Sequence, residues 1–177
     1  SGDQHGAKLV AAMKARNLFV VVLASVVLLS PGWVLGAELK IGLKAEPSSM
    51  DPHYHNLTPN NMMATHVFDK LVKQDEKQNL KPGLAVSWKP IDDLTWEFKL
   101  REGVKFHDGS PFTAEDVKFT LERGPNVPNS PSSFARYMSH IKKVEIVDDH
   151  TMRFSTADPF PLMATYLSTF TVISKKH

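Results

Sequence analysis

The sequence contains no cysteine in its 177 residues. This absence excludes disulfide frameworks, thiol catalysis, cysteine-ligated zinc and iron–sulfur clusters. The motifs G-x-S-x-G, G-x-x-x-x-G-K-[ST] and G-x-G-x-x-G are missing as well, so the chain lacks the usual signatures of serine hydrolases, P-loop proteins and dinucleotide-binding enzymes. Hydrophobic residues make up 42% and charged residues 23%, which are ordinary values for a globular protein. We therefore predict a folded protein that is not an enzyme.

The sequence also has no excess of charge outside residues 1–36. The formal net charge is +2, but residues 1–36 hold three basic side chains and one acidic side chain. Residues 37–177 are therefore neutral. A nucleic-acid-binding domain normally carries a basic patch or stripe, and no run of that kind occurs here. We predict no nucleic-acid partner.

A hydrophobic run of membrane-spanning length is missing too, because the apolar stretch 18–29 has only twelve residues. As a helix it would span about 18 Å, whereas the hydrocarbon core of a bilayer is about 30 Å thick. The stretch follows the basic segment 13–17 and precedes Pro31, and Gly36 is the small residue before Ala37. This order favours a signal peptide over residues 13–36 rather than a membrane anchor.

Cleavage of this signal peptide is expected after Gly36 or Ala37. Residues 1–12 precede the first methionine, Met13, and resemble an upstream or tag-like segment. A lipoprotein requires a cysteine at the cleavage site, and the sequence has none. We therefore expect export without lipidation to the periplasm of a Gram-negative cell, where the protein is not membrane-embedded after signal removal.

The exported part begins with a strand predicted at 39–45 from its alternation of apolar and polar residues. A loop over 46–59 follows, and Thr58 is the expected N-cap of a helix that reaches residue 70 or 72. The spacing i, i+4, i+8 predicts a core-facing stripe of Met63, Val67 and Leu71. The Thr113 to Asp116 spacing predicts a second capped helix, whose buried face carries Val117 and Leu121.

Hairpins are predicted in three places, each across a polar turn. Their strands are 71–74 with 78–81, 87–89 with 95–100, and 142–147 with 151–155. Short strands are expected at 104–106 and 171–173, and short helices at 134–140 and 161–167. The paired acids Asp92-Asp93 and Asp148-Asp149 lie at hairpin tips, where solvated turn residues are typical. The result is a mixed α/β pattern whose first and last strands lack neighbours, so we expect a fragment of a longer protein.

Four consecutive segments carry a family resemblance: G-L-A-V-S-W from Gly83, L-T-W-E-F-K-L-R from Leu94, G-V-K-F-H-D-G from Gly103 and P-F-T-A-E-D-V-K-F from Pro111. The chain resembles the family 5 extracellular solute-binding proteins, the peptide- and nickel-type receptors of ABC importers. The resemblance implies an α/β fold of the type II periplasmic-binding kind, in which two lobes close over a ligand. It places 37–45 and about 161–177 in an incomplete lobe I and 46–160 in a small additional domain, and it implies that the second lobe would be absent from this sequence.

The resemblance also implies where a ligand is bound. In nickel-type members a tyrosine and a methionine of the loop after the first strand line the pocket, and the matching stretch here is 52–62, with an apparent two-residue insertion. The insertion leaves open whether Tyr54 or His55 aligns with the tyrosine, so the loop suggests Tyr54, His55, Asn61 and Met62 as ligand contacts. A looser match suggests the three residues Phe134, Arg136 and Tyr137. The structural alternatives are a core position for Phe134 or Met62 and a solvated helix position for Arg136.

Several histidines raise the question of a metal, above all His53 and His55, which are two residues apart. Structural zinc needs about four nitrogen or sulfur ligands, and no H-E-x-x-H or comparable spacing is present. We predict neither a metal nor a cofactor. The expected function is a monomeric receptor that delivers short peptides to the permease subunits of an ABC importer. The alternatives are a nickel-chelate, opine or oligosaccharide receptor and, from another class, a periplasmic metal-dependent hydrolase.

Overall fold

The computed structural model describes residues 40, 42 and 45–176. The upstream segment 1–12 and the signal peptide 13–36 lie outside the described residues, as does most of the strand predicted at 39–45. From Gly42 onward the described residues belong to one compact unit. No helix in the described part is long and apolar enough to cross a membrane. The predicted division at residues 46 and 160 stays a prediction.

Short helices and strands follow one another along the described residues. The helices are α1 (Thr58–Val67), α2 (Ala114–Arg123), α3 (Ala135–Met138) and α4 (Met163–Leu167), with a 3₁₀ turn at Gly124–Asn126. The strands are β1 (Val72–Gln74), β2 (Leu80–Pro82), β3 (Ala85–Pro90), β4 (Thr95–Leu100), β5 (Ile141–Asp148) and β6 (Thr151–Thr156). All three predicted hairpins are present, as the antiparallel pairs β1–β2, β3–β4 and β5–β6.

The second and third hairpins join into a four-stranded antiparallel sheet of order β3-β4-β6-β5. Side chains alternate between the faces of a strand, so T-W-E-F-K-L places Phe98 and Leu100 on the buried face. Met152 of β6 lies opposite Phe98 and is also fully buried. This face packs against the helices, and the core includes Leu71, Phe112, Val117, Leu121, Phe154, Met163, Leu167 and Phe170.

Helix α2 has the capped start that its sequence predicts. The Thr113 N–H donates to Asp116 Oδ2 at 2.9 Å, which satisfies a backbone donor that precedes the first helical turn. Val117 and Leu121 are buried, as expected for one apolar face. The second carboxylate oxygen, Oδ1, accepts the Lys175 N–H at 2.9 Å. Asp116 therefore joins the helix start to the end of the described chain.

Each hairpin turn is closed by an aspartate that accepts a backbone N–H two residues further on. Asp75 accepts from Lys77 at 2.9 Å, Asp92 from Leu94 at 2.8 Å and Asp148 from His150 at 2.8 Å. Aspartate favours such turns because its short carboxylate reaches its own backbone. The expected turn role of the paired acids at the two longer hairpins is thus confirmed for Asp92 and Asp148.

The first helix departs from its predicted limits at both ends. Its N-cap is Leu57, so Thr58 lies inside the helix, and Pro59 occupies the first turn. The helix ends at Val67 because Phe68 adopts an extended backbone (φ −119°, ψ 148°). Val67 is 45% exposed, so its predicted core position is wrong. Leu71 is buried, but it lies beyond the helix, next to β1.

Two of the predicted short strands are reduced to isolated β-bridges in the structure. Lys105 pairs with Pro111 across the Asp108-Gly109 turn, and Thr171 pairs with Lys70. Pro111 has no N–H, so it cannot extend a hydrogen-bonded ladder. The predictions of strands at 104–106 and 171–173 are therefore wrong in extent, although both segments lie against other parts of the chain.

Candidate functional site

The loop that precedes α1 is tied to the first turn of that helix. Asn60 is buried, and its side-chain amide donates to Ser48 Oγ at 3.2 Å and to the Ser49 carbonyl at 3.3 Å. Its Oδ1 accepts the Ser48 N–H at 3.3 Å. Asn60 is therefore a structural residue that ties the loop to the first turn of α1.

This loop runs beside a second segment that is distant in sequence. His55 and Ser132 form a parallel bridge, and the Asn56 N–H donates to the Ser132 carbonyl at 2.9 Å. The Ser130 hydroxyl donates to the Tyr54 carbonyl at 2.7 Å. We call residues 54–56 and 130–132 together the seam. The seam brings the two chain regions that carry the suggested ligand contacts side by side.

The suggested contacts on the loop side of the seam remain partly accessible. Tyr54 and His55 are half-buried, and His55 Nδ1 lies 2.9 Å from Ser48 Oγ. The Asn61 amide nitrogen donates to Asn56 Oδ1 at 2.9 Å. Met62 is 43% exposed. A phenol, an imidazole, an amide and a thioether offer hydrogen bonds and apolar contact to a ligand, which suits reversible binding.

The three suggested contacts from the second region have different environments. Phe134 is only 1% exposed, and its ring lies 5.4 Å from that of Phe170 and 6.1 Å from that of His53. Its side chain has no surface left for a ligand in this arrangement, so the structure favours the core alternative. Arg136 is exposed, and its guanidinium lies 5.1 Å from the centroid of the half-buried Tyr137 ring, within cation–π range.

His53 is one of the two histidines considered above as metal ligands. It is buried, and both of its ring nitrogens have protein partners. Nε2 lies 2.8 Å from the Thr171 carbonyl, and Nδ1 lies 3.1 Å from Arg123 Nη1. Burial lowers the pKa of His53 because it disfavours the charged imidazolium. In the described part of the chain, no group of three or more histidine, cysteine, aspartate or glutamate side chains could hold a metal ion.

A cavity of about 590 Å³ has no seam residue in its described wall, although Asp51 and Pro52, just before the seam, line it. Apolar side chains from several segments line it, including Val67, Phe106 and Val172, while Asp51 and Arg123 form a polar part of its wall. None of the seven suggested ligand contacts is among the described residues that line it. Sequence reasoning missed this cavity because its wall is assembled from separate segments and no local motif marks it.

Comparisons with known proteins agree with this architecture. The model of the bacterial extracellular solute-binding proteins, family 5 Middle, matches residues 79–176. The periplasmic oligopeptide-binding protein OppA of Escherichia coli K12 is 32% identical over 134 residues, which cover 66% of this chain and 24% of OppA. The chain thus spans about a quarter of the length of the curated relatives it matches.

Solved structures give the same result. Haemophilus influenzae OppA in complex with RPPGFSPFR superposes with a TM-score of 0.68 at 30% identity, over 75% of this chain and 29% of that one. NikZ from Campylobacter jejuni in complex with Ni(L-His) superposes with a TM-score of 0.63 at 32% identity, over 73% and 26%. The expected α/β fold of the type II periplasmic-binding kind is confirmed. The chain belongs to the bacterial extracellular solute-binding proteins of family 5.

Proposed function

We propose that this chain forms one wall of the ligand cleft in a periplasmic receptor that captures short peptides and delivers them to an ABC importer. The observation that carries the proposal is the seam, where 54–56 are hydrogen-bonded beside 130–132 and present partly accessible polar and aromatic side chains. The relation to OppA, which is described as an oligopeptide-binding protein, supports peptide as the ligand.

An extended peptide matches the chemistry of this wall. Its backbone amides can exchange hydrogen bonds with the Asn61 amide and the Tyr54 hydroxyl, while Met62 offers apolar contact. Arg136 can pair with a carboxylate of the ligand, because guanidinium groups bind carboxylates through parallel hydrogen bonds. A second lobe would close over the ligand by a hinge motion and complete the burial.

Capture and release require no covalent step, so the proposed protein has no enzymatic activity. Its partners would be the ligand and the membrane permease subunits of the importer. We further propose that the receptor is a monomer, reaches the periplasm through the signal peptide at 13–36 and requires no cofactor. The neutral charge of residues 37–177 agrees with a protein that does not bind nucleic acid.

A nickel-chelate receptor is the second candidate. The solved structure of NikZ contains Ni(L-His), and the exposed Met62 together with His55 offers a thioether and an imidazole on the same loop side of the seam. Both groups can contact a chelated metal without supplying a complete set of ligands. The two candidates share the seam and differ in the solute that it holds.

Native mass spectrometry of the complete receptor, purified from its host, separates these candidates by the mass of the bound solute. Peptide masses are expected, and a nickel-chelate mass would replace the first candidate with the second. Tyr54→Ala and Asn61→Ala should each weaken peptide binding by about tenfold, or about 1.4 kcal/mol. Val86→Ala, at an exposed position on β3, is the control and should leave the affinity unchanged. Chelator-sensitive cleavage of a peptide panel would contradict the receptor role and favour a hydrolase.

A further inference from the structure

The base of the proposed ligand loop is joined to α2 by one arginine. Arg123 Nη2 donates to Asp51 Oδ2 at 2.6 Å, and Nη1 donates to Asp51 Oδ1 at 3.0 Å. Nη1 also lies 3.1 Å from His53 Nδ1. Asp51 Oδ1 in turn accepts the His53 N–H at 3.0 Å. One guanidinium therefore contacts Asp51 and His53, which lie three residues and one residue before the seam residue Tyr54.

These partners determine the protonation state of His53. The Thr171 carbonyl can only accept a hydrogen bond, so Nε2 must carry the proton. The guanidinium can only donate, so Nδ1 must accept and must be unprotonated. The neutral imidazole with a proton on Nε2 is the one form that satisfies both contacts. A proton added to Nδ1 would place its N–H donor against the N–H donor of Arg123 Nη1.

The remaining surroundings of the ring reinforce this state. The charged groups that face it are Arg123 from α2 and Asp51 from its own loop, while the chain at Thr171 contributes a carbonyl and the start of α3 contributes the Phe134 ring. Burial is the largest influence on the pKa of His53 and lowers it; the Arg123 charge lowers it further, whereas the Thr171 contact and Asp51 oppose the shift. A neutral ring is thus favoured at neutral pH.

We infer that Arg123 is a positioning residue, which holds Asp51 and neutral His53 and thereby keeps residues 54–56 against 130–132. The loop is fastened at one end by Asn60 and at the other by Arg123, and the seam lies between these two anchors. Loss of the Arg123 contacts frees the end next to Tyr54. The importance of Arg123 for ligand binding rests on the proposed function. Its positioning of residues 54–56 does not depend on that function.

Hydrogen exchange and NMR on the full 177-residue chain, without ligand, test the positioning role. In the unsubstituted chain, ¹⁵N shifts of the His53 ring should report the tautomer with the proton on Nε2. In Arg123→Gln, the protection factors of the His53 and Asn56 amides should fall by about tenfold or more, and His53 should titrate at a higher pH. Amides in β4 and β6 should keep their protection.

Arg153→Gln is the matched control, because Arg153 also pairs with a carboxylate, that of Glu97 at 2.9 Å, but on the sheet. It should leave the loop amides and the titration of His53 unchanged. Equal loop protection in Arg123→Gln and the unsubstituted chain would overturn the inference. A His53 ring that carries its proton on Nδ1 at neutral pH would overturn it as well.

Acidification of the unsubstituted chain provides a second measurement in case Arg123→Gln does not fold. As the pH falls through the pKa of His53, the loop amides should lose protection before the amides of β4 and β6 do. Simultaneous loss in loop and sheet would contradict a local positioning role. Because no ligand is present, failure here overturns the role of Arg123 alone, whereas a receptor purified without peptide would overturn the proposed function alone.

Discussion

Phe98 of β4 and Phe154 of β6 meet edge to face, with ring centroids 5.1 Å apart and ring planes at 89°. Both side chains are fully buried on the face of the sheet that packs against the helices. Edge-to-face contact is a favourable geometry for two aromatic rings and adds to the free energy of burial. This pair therefore contributes to the hydrophobic core between the sheet and the helices.

Phe98→Ala should destabilise the protein by about 3–5 kcal/mol, since it removes a buried ring and leaves a cavity beside Phe154. Urea denaturation followed by circular dichroism measures the change in the free energy of unfolding. Val86→Ala on the adjacent strand β3 is the control, because Val86 is 42% exposed and its truncation should cost less than about 0.5 kcal/mol. Equal effects of the two substitutions would contradict the assigned core.

Gly83 lies before β3, where the chain passes close to the segment that follows α1. A Cβ at this position would overlap the backbone carbonyl oxygens of Lys70 and Leu71. Gly83→Ala should therefore force the backbone apart and lower the free energy of unfolding by about 1–3 kcal/mol, the usual cost of overpacking. The measurement is the urea midpoint of the variant relative to the unsubstituted chain.

Gly103→Ala distinguishes close approach from backbone strain. Gly103 has φ +71°, and no neighbouring heavy atom lies within 4 Å of the position that a Cβ would take. An alanine there costs only the left-handed backbone preference, about 1 kcal/mol. Gly83→Ala should be the more damaging of the two. The reverse order would mean that the Lys70–Leu71 backbone does not approach Gly83 this closely.

Asp116 and Glu115 are neighbours whose removal should have different consequences. Asp116→Ala removes the acceptor of the Thr113 and Lys175 N–H groups, and the loss of a buried acceptor costs about 1–3 kcal/mol. Glu115→Ala removes an exposed ion pair with Lys175, and such pairs contribute little to stability. Thermal melts should show a lower Tm for the first variant and an unchanged Tm for the second.

The elements that could be predicted from the sequence are those specified locally. The Thr113–Asp116 capping box and the aspartates that close the hairpin turns act within four residues, so their patterns are sufficient. The end of α1 could not be predicted, because the chain becomes extended at Phe68 and then pairs through Lys70 with Thr171, which is distant in sequence. Contacts of that kind depend on the assembled fold.

The candidate site likewise has a part that the sequence indicates and a part that depends on the assembled fold. The family resemblance indicates residues 52–62 and 134–137, but only the folded chain brings His55 next to Ser132. It also moves Phe134 into the core and joins His53 to Arg123, a pair for which no local signal exists. Ligand contact by Tyr54, His55, Asn61 and Met62 stays a prediction, as does contact by Arg136 and Tyr137.

His53 should make stability depend on pH in a defined range. Its pKa is lower in the folded protein than the ordinary value of 6.5, so the unfolded chain takes up a proton at higher pH than the folded chain. The stabilisation is therefore complete above pH 6.5 and is lost as the pH falls through the folded pKa. Asp51, whose pKa Arg123 lowers below 3.8, acts only at more acidic pH.

Urea midpoints measured from about pH 7.5 downward test this dependence. The unsubstituted chain should lose stability below pH 6.5, and His53→Gln should reduce the slope of this loss even if the variant is less stable throughout. His66→Gln is the control, because His66 is exposed in the last turn of α1. A slope that persists in His53→Gln would assign the pH dependence to another group.

Residues 37–177 alone should not bind short peptides with micromolar affinity. Ligand sites in proteins bury about 70–90% of the ligand surface. In the proposed receptor the seam provides only one wall of the site, and the chain spans 24% of the length of OppA. Isothermal titration calorimetry with a tri- to pentapeptide mixture measures this, and the complete receptor is the positive control. Micromolar binding by residues 37–177 would show that the seam forms a sufficient site without a second lobe, and the two-lobed capture mechanism would then be wrong.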